Sequence, residues 1–327
     1  MRLHPHARLR LTQGWARLNL AEILSYLEAG GLLQDAAGLR VSRRGGRNNT
    51  YEIGDIERGP RWFLKQFGRS DSELALFQRE RHFAMQAGRP VVSPVWSDDV
   101  YRVILYPAVG ESLWQALGDS ETASGLDADL TKVLSEIVSL PSHGDQCDLP
   151  PIAQRMLTPT AGTLSPGQRR VIASLGSAGT PIENALNLVL EAWAPTTATT
   201  VHGDLKLEHV LRGNDGVIWI VDWEQVGLGP SLWDQAGLLQ SIIAHALLTS
   251  RGWTKAHADI AGSLIEEEPL HLAHFVALRL WQTALEWTAG RLKPSIQTAA
   301  ICQVGLSLVR DPSRLALLAQ GGPGRPV

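Results

Sequence analysis

The stretch Val201–Gln240 constrains the fold more than any other part of this chain. It begins with the tripeptide HGD, which ends at Asp204, and an apolar run at Val217–Trp223 then carries a second carboxylate, Asp222. Because a polar turn precedes that run, we predict a short buried strand there. Both carboxylates would then lie on loops that strands hold in place. Phosphoryl transfer from ATP needs such a pair, since one carboxylate orients the acceptor hydroxyl and the other binds magnesium.

The same stretch resembles the catalytic segment of the aminoglycoside phosphotransferase and choline kinase family, whose members are relatives of protein kinases. HGDLKLEHVL stands where the family has H-G-D-x-x-x-x-N-x-L, and IVDWEQVGLGPSLWDQAG stands where it has I-D-W-E-x-x-x-x-G-D-P-x-x-D-L-A. The resemblance implies an α+β, bilobal protein-kinase-like fold. The small β-rich N-lobe is expected at residues 1–107, and the larger, mainly helical C-lobe at residues 108–327. The competing interpretation is an ordinary hairpin with solvated polar residues.

Composition argues against several classes of function. The 327 residues carry a formal net charge of −3, which gives no reason to expect a nucleic acid or an anionic membrane as partner. Polar residues interrupt the longest apolar stretches, so none is expected to span a bilayer. The two cysteines, Cys147 and Cys302, lack metal-ligand spacing and fit a reducing compartment. Since the N-terminus lacks the apolar segment of a signal peptide, we expect a soluble cytoplasmic protein.

A glycine-rich turn between the predicted strands Leu39–Ser42 and Thr50–Ile53 is the candidate phosphate-covering loop. Two glycines between short strands let the backbone approach a ligand closely. The resemblance implies that the N–H groups of Gly45 and Gly46, with help from Arg47, face the ATP phosphates. A plain hairpin is the alternative.

A lysine between two phenylalanines marks the next candidate. On the strand predicted at Arg61–Phe67, Lys65 shares a face with both aromatic side chains. A lysine buried there needs an anionic partner. The resemblance supplies the ATP phosphates and a glutamate of the next helix, predicted at Ser70–Gln86. Glu80 is expected to pair with Lys65, with Glu73 as the substitute, and a solvated edge-strand lysine is the alternative.

Two further β-like runs, Val91–Trp96 and Tyr101–Tyr106, lead into a segment that resembles the family's linker between the lobes. Family members recognise adenine there through main-chain groups. By position, the carbonyl of Tyr106 and the N–H of Ala108 are the candidates in this chain.

Apolar residues recur at helical spacing at the N-terminus and on both sides of the catalytic stretch. The predicted helices are Asn19–Ala29, Leu126–Leu140, Gln168–Leu175, Ile182–Trp193, Ser231–Thr249, Leu270–Gly290 and Pro294–Val309.

Two departures from the family pattern bear on catalysis. His209 stands at the position of the metal-binding asparagine, although magnesium prefers oxygen ligands and imidazole suits softer ions. Three interpretations stay open: Asp222 alone holds magnesium, His209 helps to hold manganese, or the site is impaired. Lys206 matches the H-R-D-L-K motif of Ser/Thr protein kinases, and its charge would offset that of the transferring phosphate. Asp234, by contrast, is expected to buttress the catalytic loop.

The resemblance implies an enzyme that uses ATP and Mg²⁺, with Mn²⁺ as the alternative ion, to phosphorylate a hydroxyl group. Balanced charge in the C-terminal helices and Lys206 favour a Ser/Thr hydroxyl on a peptide, as in lanthipeptide-like tailoring with a partner enzyme subunit. One alternative is a small-molecule, aminoglycoside-type acceptor. Another is a pseudokinase that serves as a scaffold or binding subunit.

Overall fold

The computed structural model describes residues 15–34, 36–44, 49–118, 125–141, 164–176, 179–193, 199–249, 252–265 and 269–320. The chain divides into two compact units, Met1–Gly110 with Trp219–Glu224, and Glu111–Ile218 with Gln225–Val327. The first contains an antiparallel sheet and the second is mainly helical, so the predicted α+β kinase-like class is confirmed. No helix within the described ranges is long and apolar enough to cross a membrane.

The first unit is built on a five-stranded sheet in the order β1-β2-β3-β5-β4, with every neighbouring pair antiparallel. Its helices are α1 (Leu20–Ala29) and α2 (Asp71–Gln86). Its strands are β1 (Leu39–Arg43), β2 (Asn49–Asp55), β3 (Gly59–Gln66), β4 (Trp96–Asp98) and β5 (Val103–Pro107). In the register of β3 and β5, Lys65 lies opposite Ile104 and Phe63 lies opposite Tyr106.

Helix α1 begins where the sequence predicts and covers part of the core. Asn19 accepts a hydrogen bond from the Glu22 N–H, and the Glu22 side chain accepts one from the Asn19 N–H, which forms a capping box. Its buried face carries Ile23 and Leu27, which belong to one apolar cluster with Leu64 of the sheet. Each such aliphatic side chain contributes roughly 1.5–3 kcal/mol when fully buried.

Helix α2 presents Glu80 on its buried face, between Phe77 and Phe83. Ser70 caps its first turn by accepting a hydrogen bond from the Glu73 N–H at 3.3 Å. A reciprocal bond from Glu73 to the cap residue, which would complete a capping box, is not formed, because the Glu73 carboxylate accepts from the Gly68 N–H at 3.2 Å. Glu73 is thereby engaged at the start of the helix.

The prediction of a strand at Val91–Trp96 is wrong. Strand β4 begins only at Trp96, and Val91 makes an isolated parallel bridge with Ile220. The Val92 N–H donates to the Ile220 carbonyl at 3.3 Å, and the Ile220 N–H donates to the Pro90 carbonyl at 2.8 Å. This segment therefore pairs with Trp219–Glu224, and Pro94 has no N–H with which to continue a ladder.

The second unit consists mainly of helices, and every helix predicted from periodicity is present within a few residues of its expected bounds. The helices of this unit are α3 (Leu113–Gly118), α4 (Leu126–Ser139), α5 (Pro166–Gly176), α6 (Thr180–Ala192), α7 (Leu232–Leu248), α8 (Lys255–Leu264), α9 (Pro269–Thr288), α10 (Ile296–Arg310) and α11 (Arg314–Ala319). The remaining strands are β6 (Glu111–Ser112), β7 (Thr199–Val201), β8 (Val210–Arg212), β9 (Ile218–Ile220) and β10 (Gly227–Gly229). Strand β7 pairs with β10, and β6 pairs with β8.

Helices α7 and α9 form the core of this unit. Phe275 and Trp281 of helix α9 are fully buried. Helix α10 packs closely against α9. A Cβ atom at Gly305 of α10 would collide with the indole of Trp281, so only glycine permits that approach.

Candidate active site

The loop that follows β7 is anchored by the buried carboxylate of Asp234. Its Oδ2 accepts a hydrogen bond from the His202 N–H at 2.6 Å, and its Oδ1 accepts one from the Gly203 N–H at 3.0 Å. Gly203 has φ +82°, a conformation that favours glycine. Burial raises the pKa of Asp234 to about 7, although the two N–H groups and Arg279 oppose that rise. Asp234 is thus placed to act as a buttress of the loop.

Three further side chains fix the backbone of the same loop. The Trp233 indole N–H donates to the Gly203 carbonyl at 2.7 Å. The Ser241 hydroxyl accepts from the Leu207 N–H at 3.2 Å. The His209 Nδ1 lies 2.9 Å from the Asp204 carbonyl. Since a carbonyl only accepts, Nδ1 of His209 carries a proton and donates it to this oxygen.

The carboxylate of Asp204 is held between two cations. Its Oδ1 accepts from Nη1 of Arg279 at 3.0 Å, and its Oδ2 accepts from Nζ of Lys206 at 3.1 Å. Lys206 also lies 3.5 Å from the Glu286 carboxylate. Burial lowers the pKa of Lys206, but Asp204 and Glu286 outweigh it and raise the pKa above its ordinary range. Lys206 is therefore a charged group beside Asp204.

A cavity of about 180 Å³ lies beside this lysine in the second unit. Lys206 and Glu286 line it together with Gln240, Trp114 and Trp287. The Oε1 of Gln240 is buried and accepts no hydrogen bond from any described residue. A hydroxyl or amine that enters the cavity would meet hydrogen-bonding groups close to Asp204.

In the first unit, Lys65 lies at the centre of a cluster of carboxylates. Its Nζ is 2.5 Å from Glu80 and 2.9 Å from Glu224, and it also contacts Asp222. The Tyr106 hydroxyl donates to Glu80 at 2.8 Å. The ion pair expected between Lys65 and Glu80 is present in the structure.

The electrostatics of this cluster follow from its charges. At full ionisation three carboxylates face one ammonium group, which leaves an excess of negative charge. Burial raises the pKa of Glu80 to about 7, with Lys65 lowering it and Asp222 and Glu224 raising it. Burial lowers the pKa of Lys65, but the three carboxylates outweigh it and hold the pKa well above its ordinary value.

The same carboxylates could hold a metal ion, because ligand atoms of Glu80, Asp222 and Glu224 all lie within 4.8 Å of one another. Oxygen donors are the ligands that magnesium prefers. The side chain of Asp222 is 30% exposed, whereas those of Glu80 and Glu224 are 1% and 5% exposed. Asp222 is therefore the member that offers an oxygen to solvent, and its left-handed backbone, φ +70°, sets its direction after β9.

Sequence reasoning missed three contributors to these clusters. Glu224 follows Asp222 by two residues, but its contact with Lys65 joins residues that lie almost half of the chain apart. Tyr106 was expected to act through its carbonyl, yet its side chain joins the cluster. Of the three, Arg279 had the clearest signal in the sequence, because it is a lone cation in an apolar helical pattern. A cation buried in such a helix needs an anionic partner.

Other predicted site residues have different outcomes. The Ala108 N–H, expected at adenine, donates to the Arg61 carbonyl at 2.9 Å as an extension of the β3–β5 ladder, and is already engaged. Gly45, Gly46 and Arg47 lie outside the described residues. The structure thus forms two groups, Lys65 with Glu80 and Asp222, and Asp204 with Lys206 and His209.

Comparisons with solved structures support this fold. The choline kinase LicA from Streptococcus pneumoniae matches with a TM-score of 0.59 and 14% identity, over 89% of this chain and 99% of that one. A thermostable variant of the aminoglycoside phosphotransferase APH(4)-Ia, solved with ADP and hygromycin B, matches with a TM-score of 0.55 and 12% identity, over 94% and 100%. The amicoumacin kinase hAmiN, solved in complex with AMP-PNP, Ca²⁺ and Ami, matches with a TM-score of 0.52 and 15% identity, over 91% and 97%.

Comparison with curated proteins found no match. Residues 39–268, however, match the family described as the phosphotransferase enzyme family, APH. That match covers the carboxylate cluster around Lys65, the loop of Asp204 and its Asp234 buttress. It covers more than half of the chain, so this protein is a member of the APH phosphotransferase enzyme family.

Proposed function

We propose that this protein transfers the γ-phosphoryl group of ATP to a hydroxyl group of a small molecule. The observation that carries the proposal is the carboxylate of Asp204, held on a clamped loop with a charged lysine and a cavity beside it. A carboxylate there can orient a hydroxyl for attack, and positioning is the largest task in phosphoryl transfer.

The first unit supplies the groups that bind ATP. Lys65, oriented by Glu80, contacts the phosphates, and Asp222 offers its exposed oxygen to a divalent cation. A magnesium ion held there by Asp222 would offset the negative charge of the phosphates. Gly45, Gly46 and Arg47 are proposed to cover the phosphates, and the carbonyl of Tyr106 to meet the adenine.

The second unit supplies the groups that act on the acceptor. The acceptor oxygen attacks the γ-phosphorus, the bond from that phosphorus to the bridging oxygen breaks, and ADP leaves. Asp204 orients the hydroxyl and takes up its proton. Lys206 offsets the negative charge that develops on the transferring group, since its raised pKa keeps it protonated.

His209 is proposed to steady the loop and, since it stands at the position of the family's metal-binding asparagine, to lie near the metal ion. Its Nδ1 is committed to the Asp204 carbonyl, which fixes the ring. Imidazole in this position would favour manganese over magnesium.

Two features bear on the class of acceptor. The similar structures were solved with, or named for, small molecules: choline, hygromycin B and amicoumacin. They support the small-molecule alternative over the Ser/Thr peptide that Lys206 suggested from sequence. The cavity, at about 180 Å³, also suits a compact group better than a drug-sized ligand.

The test is product detection by mass spectrometry. The protein is incubated with ATP and either Mg²⁺ or Mn²⁺, against one panel of aminoglycosides and other small alcohols and one of Ser/Thr-rich peptides. The proposal expects a phosphate mass increase on a small alcohol, and none with Asp204→Asn. Phosphate on peptides alone would favour the peptide acceptor. An ATP-induced rise in melting temperature without any product would favour the pseudokinase.

A further inference from the structure

Arg279 is a buried cation in the middle of helix α9. Its side chain is 1% exposed, and neighbours on the helix such as Leu278 and Leu280 are fully buried. Removing a guanidinium from water is costly unless charge and hydrogen bonds compensate. The compensation comes from the loop of Asp204, because Nη1 donates to the Asp204 carboxylate and Nη2 donates to the Leu205 carbonyl, each at 3.0 Å.

The two oxygens of Asp204 face different surroundings. Oδ1 accepts from Arg279, which is almost completely buried and does not line the cavity. Oδ2 accepts from Lys206, which is 18% exposed and does line it. The carboxylate, itself 6% exposed, is therefore held on one side by a buried cation and on the other by a lysine that lines the cavity.

Packing from helix α7 holds the guanidinium in place. Its carbon lies 4.9 Å from the ring centroid of Trp233, within range of a cation–π contact. A Cβ atom at Gly237 would lie 2.9 Å from Nη2 of Arg279 and would collide with the Leu205 carbonyl. Glycine at this position allows the arginine and the loop to meet.

We propose that Arg279 is a positioning residue, which fixes Oδ1 of Asp204 so that Oδ2 alone meets the acceptor hydroxyl. The inference rests on the proposed function. When the hydroxyl reaches Oδ2, Lys206 gives up that contact, and Glu286 at 3.5 Å remains as its partner. Without Arg279 the carboxylate could rotate, and either oxygen could turn away from the cavity.

The experiment compares steady-state kinetics of Arg279→Gln, Arg279→Lys and wild type, with the acceptor found by product screening. For Arg279→Gln we expect kcat to fall ~10²-fold, with KM for ATP and acceptor within about threefold, because orientation is lost while binding is kept. For Arg279→Lys we expect a smaller loss, ~10-fold, since one ammonium cannot reproduce both contacts of the fork.

The matched control is Trp281→Phe, a buried change on the same helix that removes the hydrogen bond to the Cys302 carbonyl. It should lower the melting temperature while kcat stays within about threefold of wild type. A purely structural role of Arg279 predicts that kcat follows melting temperature equally in all variants. That pattern, or a folded Arg279→Gln with kcat within threefold of wild type, overturns the inference.

If Arg279→Gln does not fold, the test rests on Arg279→Lys. A kcat of Arg279→Lys within twofold of wild type then overturns the inference. Wild type without turnover on any acceptor overturns the proposed function and this inference together. Turnover by wild type with unaffected arginine variants overturns this inference alone.

Discussion

Substituting Lys65 with methionine removes the ammonium group that contacts all three carboxylates of the cluster. Methionine is similar in length and apolar, so packing is largely kept and the change is mainly electrostatic. Three carboxylates then remain together, and two of them are at least 95% buried, Glu80 at 1% and Glu224 at 5% side-chain exposure. The first unit should be strongly destabilised as a result.

Breaking a buried ion pair by removing one partner costs about 3–5 kcal/mol. A loss of that size lowers the melting temperature by at least about 6 °C. The loss depends on pH, because burial raises the pKa of Glu80 to about 7 from an ordinary value of 4.5. The folded state therefore keeps a proton that the unfolded state releases, and the contribution of Glu80 to stability falls as pH rises from 4.5 to 7. Without Lys65 this effect is larger, since the lysine lowers that pKa.

The assay is thermal unfolding of Lys65→Met and wild type at about pH 5.5 and about pH 8.5, without nucleotide. The control is Lys132→Met, because the Lys132 side chain is 64% exposed and its i,i+4 pair with Glu136 should contribute less than about 0.5 kcal/mol. Adding Glu80→Gln to Lys65→Met should recover part of the loss, because one unpaired charge is removed.

The refuting results are specific. A melting temperature within 2 °C or so of wild type at the higher pH would mean that the carboxylates are not buried as described. An equal loss at both pH values would mean that no carboxylate of the cluster titrates in this range. In addition, ATP should raise the melting temperature of wild type and not of Lys65→Met, because a ligand stabilises only the state that it binds.

Three further substitutions test other residues. Asp204→Asn should keep ATP affinity within about threefold and lower kcat by roughly 10³-fold, measured by calorimetry and steady-state kinetics; turnover close to wild type would remove Asp204 from catalysis. If His209 binds the metal, Mn²⁺ should support at least as much turnover as Mg²⁺, and His209→Asn should shift the preference towards Mg²⁺; an unchanged preference would make the histidine structural. Asp234→Asn should cost about 1–3 kcal/mol in chemical denaturation, because an amide cannot accept both N–H groups of the loop; a stability equal to wild type would contradict the buttress.

Local patterns in the sequence predict much of this fold. Periodic apolar residues gave the helices, and the alternation around Lys65 gave a buried lysine on β3. The family resemblance predicted that Asp234 anchors the loop of the HGD motif. Helices α3, α8 and α11 were not predicted; α3 and α11 have only six residues each, too few for a clear period.

Contacts between distant residues could not be predicted in the same way. Arg279 lies 75 residues from Asp204, and a single buried arginine indicates that some carboxylate is near without saying which one. Glu224 reaches Lys65 only because Trp219–Glu224 packs with the first unit. The strand expected at Val91–Trp96 failed for the same reason, as its hydrogen bonds go to Ile220.

The most direct test of phosphotransferase activity uses ATP radiolabelled in its γ-phosphoryl group. The labelled ATP is mixed with pooled small alcohols, a divalent cation and either wild type or Asp204→Asn, and the label is followed by chromatography. The catalytic assignment predicts label on an acceptor with wild type, dependence on the cation, and labelling that is roughly 10³-fold slower with the variant. Labelled ATP that binds the wild-type protein but passes to no acceptor, with Mg²⁺ or Mn²⁺, would contradict it.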